Sequence, residues 1–173
     1  MLELFSLEDK VAVITGASRG LGRVMAKGLA GVGAHVVLVA RDAEKLGMLR
    51  DEIKAEGGHA DVLPLDLADE DQIRSAVQGL AKVDICVNNA GIINWQPLLE
   101  SDIESFDAVM NTNVRASFVM AQECALLMRA GGQGGRIINV GSVLSTIGRA
   151  KLHAYCASKS AIVGLTRSLA AEL

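Results

Sequence analysis

Two rhythms alternate along the chain. Short β-branched runs recur at Val11–Thr15, His35–Ala40, Ala60–Leu65, Val83–Val87 and Arg136–Val140. Each is too short for a buried helix and is bounded by Gly, Asp or Asn, the pattern of strands buried in a parallel sheet. Between them apolar residues fall three and four apart, as on one face of a helix: Leu21-Val24-Met25-Leu29, Leu46-Leu49-Ile53, Ile73-Val77-Leu80 and the long stretch Phe106–Met128. A last helical stretch runs from about Ala154 to the end. Strict alternation of the two predicts an α/β fold: a doubly wound parallel sheet in the order 3-2-1-4-5, with right-handed crossovers and helices on both faces. Gly131–Gly135 resembles a linker, but five residues between a helix and a strand make an ordinary turn. The 173 residues are therefore expected to form a single domain.

Composition narrows the function classes. Half the residues are hydrophobic and only 3% aromatic, so the core must be aliphatic. Seventeen basic and twenty acidic residues give a net charge of −3 without a long run of either sign. That argues against a nucleic-acid partner. Cys86, Cys124 and Cys156 are odd in number, far apart and outside any metal-ligand spacing, which fits reduced thiols and no metal site. The segment Met1–Phe5 lacks a basic region followed by an apolar run, and no stretch reaches membrane-spanning length. The expectation is a soluble, cytoplasmic protein without a membrane partner.

The first strand runs into Thr15-Gly16-Ala17-Ser18-Arg19-Gly20-Leu21-Gly22, and a helix follows at once. Glycines let the backbone turn sharply and approach a pyrophosphate, and the helix N-terminus offers it unpaired N–H groups. The alternative is a turn serving only helix–strand packing. The second strand ends Val39-Ala40-Arg41, with no acid before Asp42. An NAD site places Asp or Glu here to bond the ribose 2′-hydroxyl, whereas a 2′-phosphate needs a cation. Arg41, with Arg19, can fork onto such a phosphate, which favours NADP(H) over NAD(H). Otherwise the two are solvated surface arginines.

Tyr155-Cys156-Ala157-Ser158-Lys159 places a phenol and an ammonium four residues apart, on one face of the last helix. A neighbouring cation favours the phenolate and so suits the phenol to proton transfer. Such pairs also arise by accident. Ser142, at the carboxyl end of the fifth strand, can donate its hydroxyl to a substrate oxygen, or simply cap the turn. Asn88-Asn89-Ala90-Gly91 ends the fourth strand and can line a cofactor or close a loop. Asn113 interrupts a helical pattern, where Asn is a mediocre helix former. It either exposes a carbonyl or water site or is a solvated position.

Taken together, these residues resemble the short-chain dehydrogenase/reductase superfamily over the whole chain. The glycine turn, Asn88–Gly91, Asn113, Ser142, Tyr155 and Lys159 agree with it in order and spacing. The resemblance implies a Rossmann-like fold and a catalytic set of Asn113, Ser142, Tyr155 and Lys159. Tyr155 would be the general acid/base, and Lys159 would support the phenolate and bond the nicotinamide ribose. Ser142 would orient the reacting oxygen, and Asn113 would hold a water linking Lys159 to solvent. Gly16, Ser18, Arg19, Gly20, Leu21, Gly22, Arg41, Asp66, Leu67, Asn89, Ala90 and Gly91 would bind the cofactor with Tyr155 and Lys159.

Leu4-Phe5-Ser6-Leu7, Lys27-Gly28-Leu29-Ala30 and Ser145-Thr146-Ile147-Gly148-Arg149 are similar to segments of gluconate 5-dehydrogenases and related sugar-acid dehydrogenases. The reading that follows is an oxidoreductase moving a hydride between NADP(H) and a secondary alcohol or ketone, with Ser142, Arg149 and Tyr155 facing a sugar acid. The alternatives are a 3-oxoacyl thioester reductase and a non-catalytic dinucleotide-binding module. A small-molecule substrate and a homo-oligomer, dimer or tetramer, are expected. Two departures stand out. Gln78–Val83 is short for the family, so the third helix is expected to be trimmed. Members also continue beyond the Tyr-Lys helix into further strands that do not follow Leu173, so the domain is expected to be C-terminally truncated. Such a chain would leave the fifth strand as an open edge and Ile162, Leu165 and Leu169 short of partners.

Overall fold

Five parallel strands lie in the order β3-β2-β1-β4-β5 in the computed structural model, which describes residues 2–173. They are β1 (Val11–Thr15), β2 (His35–Ala40), β3 (His59–Pro64), β4 (Ile85–Asn88) and β5 (Arg136–Asn139). Helices α1 (Gly20–Gly31), α2 (Ala43–Ala55), α3 (Glu70–Gln78), α4 (Ile103–Met110), α5 (Ala116–Ala130) and α6 (His153–Glu172) alternate with them. The sheet divides two aliphatic cores. Ile14, Val36 and Leu38 meet α1 and α2 on one side, with Ala26, Leu46, Leu49 and Ile53. Val13, Val37 and Cys86 meet α3 and α5 on the other, with Ile73, Val77, Val119 and Met120. The alternation of strands and helices therefore produces the doubly wound α/β fold expected of it.

The differences from the sequence pattern have local causes. The fourth strand begins at Ile85, not Val83, because Asp84 turns its carboxylate onto the Val11 amide (2.8 Å) and towards Lys82 (3.1 Å). Leu21 and Val24 were expected on the buried face of α1, yet both are about two-thirds exposed. The helix instead lays Gly22, Ala26 and Ala30 against the sheet, so close an approach leaving no room for larger side chains there. The long helical stretch is broken between α4 and α5 by a π-helical turn, Asn111–Arg115. α3 runs from Glu70 to Gln78. β5 is an edge, paired through Ile85↔Arg136 to Asn88↔Asn139 on one side only, and its Ile138 is half exposed. Ile162 does find partners and is buried, because α6 packs on α4 and on the π-helical turn. No described helix is long and apolar enough to cross a membrane.

Candidate active site

The carboxyl ends of β1 and β4 are knotted together by one hydroxyl. Thr15 Oγ1 accepts from the amides of Asn89 and Ala90, both at 3.0 Å, and donates to the Val87 carbonyl at 3.3 Å. Asn89 returns the contact through Nδ2, which donates to the Thr15 carbonyl at 2.9 Å. Above this knot the chain turns at Gly16, whose φ of +68° suits glycine. A Cβ on Gly22 would overlap the Gly16 carbonyl oxygen and the Asn89 amide. Turn and helix start are thus pressed together as a backbone cradle.

The cradle suits an anion. Helices α2, α3 and α4 each begin with an aspartate, Asp42, Asp69 or Asp102, that accepts a hydrogen bond from a first-turn amide. α1 has no side-chain cap at Arg19 and no acid in its first turn. Its leading N–H groups are left for an outside acceptor, as a dinucleotide pyrophosphate requires. Ser18 is half-buried in the turn, while Arg19, Gly20 and Leu21 are exposed.

Of the two readings for the turn after β4, its side chains close a loop. Asn88 Nδ2 donates to the Ser117 carbonyl (3.1 Å) and Asn139 Oδ1 (2.9 Å), so its amide is spent inside the protein. Asn89 braces the glycine turn from beneath. The following Gly91 runs over Asn113 and Lys159: a Cβ there would stand 3.3 Å from Asn113 Oδ1 and 3.8 Å from Lys159 Nζ.

Asn113 is buried, which rules out the solvated reading. The π-helical turn aims its side chain at the Ile92 backbone, accepting from the amide (2.8 Å) and donating to the carbonyl (3.0 Å). Its other amide proton goes to Ser158 Oγ at 3.0 Å, so neither donor remains for a water. Ser158 was not singled out by sequence, although it is wholly buried and donates in turn to the Tyr155 carbonyl at 2.8 Å. Serine is common on helices, and only the fold reveals its neighbours.

Lys159 is buried as well, with Nζ donating to the Val140 carbonyl at 2.7 Å and lying 5.8 Å from the Tyr155 ring centroid. No carboxylate among the described residues pairs with it, and burial pushes its pKa below the ordinary lysine range. Ser142 caps the turn Val143–Ser145, its Oγ accepting from the Leu144 amide at 3.1 Å. The capping reading is therefore correct, but the bond uses only a lone pair. The hydroxyl proton stays free to meet a substrate oxygen. Ser160 Oγ donates to the Ser145 carbonyl (3.0 Å), locking that turn onto α6.

At the adenosine end, Arg41 is exposed and has no ion-pair partner among the described residues. The first acid after β2, Asp42, is consumed by its own helix. It accepts from the Lys45 amide at 3.0 Å and from Lys45 Nζ at 2.6 Å, and these bonds hold its pKa below the usual carboxylate range. Asp66 folds back on its own turn, accepting from the Ala68 amide at 3.0 Å. Leu67 packs on the α3–α5 core. Arg149 is exposed and lies over the Trp95 ring, 5.0 Å from its centroid. Trp95 was also missed, because a lone aromatic in a loop carries no periodic signal.

The profile of the short chain dehydrogenase family matches residues 10–173. The chain is 40% identical over 174 residues to gluconate 5-dehydrogenase of Gluconobacter oxydans, covering 98% of this chain and 68% of that one. A 3-oxoacyl-(acyl-carrier-protein) reductase of Rickettsia conorii is 34% identical, with 98% and 69% covered. A solved gluconate 5-dehydrogenase from Burkholderia cenocepacia, in complex with NADP and tartrate, superposes with a TM-score of 0.92 at 37% identity. It covers 99% of this chain and 68% of that one. With glycine cradle, Asn113, Ser142, Tyr155 and Lys159 in place on this sheet, the chain belongs to the short-chain dehydrogenase family of oxidoreductases.

Proposed function

We propose that this protein is an NADP(H)-dependent oxidoreductase acting on a secondary alcohol or ketone of a polyhydroxy acid of the gluconate type. The observation that carries the reading is the free hydroxyl proton of Ser142 on a turn fastened through Ser145 to α6, the helix that bears Tyr155 and Lys159, together with an uncapped α1. Bound at the carboxyl ends of the strands, the nicotinamide supplies the hydride acceptor or donor. The chain's own groups handle the oxygen. Ser142 donates to it and fixes its position. In oxidation Tyr155 takes the hydroxyl proton, and in reduction it gives one back. Lys159, as an ammonium, supports the phenolate electrostatically and offers N–H groups to the nicotinamide ribose.

Preference for NADP(H) rests on Arg41 and Arg19, with Asp42 already spent on its helix cap and so poorly placed to bond a 2′-hydroxyl. Recognition of a carboxylate rests on Arg149, which has no acidic partner among the described residues. The resemblance to gluconate 5-dehydrogenases supports the sugar acid. The resemblance to a 3-oxoacyl reductase supports the second reading, a thioester substrate. We place the enzyme in a reducing compartment such as the cytoplasm, consistent with free Cys86, Cys124 and Cys156. A homo-oligomer is part of the same reading, with half-exposed Phe118 and Leu126 on α5 as its apolar contacts.

A substrate panel with NADPH and NADH tests the assignment, with cofactor binding measured alongside. Turnover of a keto-gluconate with NADPH supports it. Turnover confined to 3-oxoacyl thioesters selects the second reading, and binding without turnover of any carbonyl leaves only a dinucleotide-binding module.

A further inference from the structure

Trp95 lies in a segment fastened at both ends to the catalytic apparatus. Ile92 is clamped by Asn113 through bonds of 2.8 and 3.0 Å, and the Gln96 amide donates to the Lys151 carbonyl at 3.1 Å. Beyond it, Ser101 Oγ meets His153 Nε2 at 3.0 Å and donates to Gln96 Oε1 at 3.2 Å. Residues 92–101 are thus bound to the stretch that leads into Tyr155. Between these fastenings the Trp95 indole is half exposed, and the Arg149 guanidinium lies over its ring.

The contact leaves a specific chemistry available. With Cζ 5.0 Å from the indole centroid, the guanidinium is drawn to the ring by its charge, which uses none of its N–H groups as conventional hydrogen bonds. Those groups stay available to a planar, bidentate partner such as a carboxylate. A free arginine must lose rotamer freedom to bind, and one resting on a fixed ring has lost part of it already. Among the described residues no carboxylate pairs with Arg149, whose contact is with the Trp95 ring.

We infer that Trp95 is a specificity-determining residue that holds the guanidinium of Arg149 for the carboxylate of a polyhydroxy acid. This rests on the sugar-acid reading above. Trp95 is the only tryptophan in the chain, so its emission reports this site without labelling. The probes are D-gluconate and its uncharged analogue D-glucitol, each titrated into the protein with NADP(H) present. Wild type binds gluconate more tightly than glucitol, and gluconate changes the Trp95 emission. Arg149→Ala removes the preference. Trp95→Ala weakens gluconate by about threefold to thirtyfold, the range of a cation–π contact, and leaves glucitol and NADP(H) affinities unchanged. Trp95→Phe retains most of the preference, since a ring remains.

Equal weakening of gluconate and glucitol by Trp95→Ala would reduce the ring to general packing and overturn the inference. So would a Trp95→Ala variant that keeps a preference lost in Arg149→Ala, although sugar-acid recognition by Arg149 would then stand. Retention of the preference by Arg149→Ala overturns it as well, and moves the carboxylate to another cation. A wild type indifferent to the carboxylate removes both the inference and the sugar-acid reading.

Discussion

Asn113 and Ser158 are joined by a 3.0 Å hydrogen bond that ties the π-helical turn to the helix carrying Tyr155. Both side chains are buried, and the bond continues to the Ile92 backbone on one side and to the Tyr155 carbonyl on the other. The loop after β4 and the helix carrying Tyr155 are therefore one hydrogen-bonded unit.

Removing the middle of that unit leaves a buried donor without a partner. Ser158→Ala should destabilise the fold by about 1–3 kcal/mol, the penalty of an unsatisfied buried polar group. Urea unfolding measures this directly. A stability equal to wild type would mean that Asn113 finds another acceptor and that the link is dispensable.

The glycine cradle makes a steric prediction. A methyl group at Gly22 cannot coexist with the Gly16 carbonyl and the Asn89 amide, so Gly22→Ala must push α1 away from the turn. Overpacking of this kind costs about 1–3 kcal/mol. Because the displaced amides are those offered to the pyrophosphate, NADP(H) affinity should fall by roughly tenfold or more. Calorimetric titration checks it, and unchanged affinity would place the pyrophosphate elsewhere.

Cofactor choice depends on Arg41 in this account. Arg41→Ala should weaken NADPH by about 1.5–3 kcal/mol, the range for a charged hydrogen bond, and leave NADH nearly unaffected. Equal losses for the two cofactors would show that Arg41 does not read the 2′-phosphate.

Much of this was legible in the sequence because it rests on backbone rules. Sheet order follows from alternating strand and helix patterns, and the cradle from glycines placed between the first strand and first helix. Tyr155 and Lys159 are visible through their spacing on one helix. What was illegible depends on contacts across the fold. Leu21 and Val24 look like a core face, but the glycine turn draws α1 too close to the sheet for them. Ser158 and Trp95 carry no pattern of their own; their roles arise from Asn113 and Arg149, which are 45 and 54 residues away. The spent carboxylate of Asp42 is likewise apparent only once α2 is seen to begin there.

Burial of Lys159 makes stability depend on pH with a definite sign. The folded pKa lies below the ordinary lysine value of 10.5, so the unfolded chain holds this proton to higher pH than the folded one. The burial penalty is fully present below the folded pKa and is relieved as pH rises towards the unfolded value. Wild type should therefore gain stability relative to Lys159→Met as pH climbs through the alkaline range towards the ordinary lysine value of 10.5. Urea melts of both proteins across that interval check it. A constant or shrinking difference would mean that the ammonium is better solvated than its burial implies.

The proposed function depends above all on Tyr155 moving the proton in an NADP-linked oxidation. The most direct measurement is the turnover of gluconate with NADP by the protein and by its Tyr155→Phe variant, with cofactor affinity measured on both. Deleting the hydroxyl while keeping the ring should lower turnover by about 10²–10⁴-fold, the contribution typical of a general acid/base, and leave NADP affinity unchanged. A phenylalanine variant that turns over at a comparable rate would contradict the account.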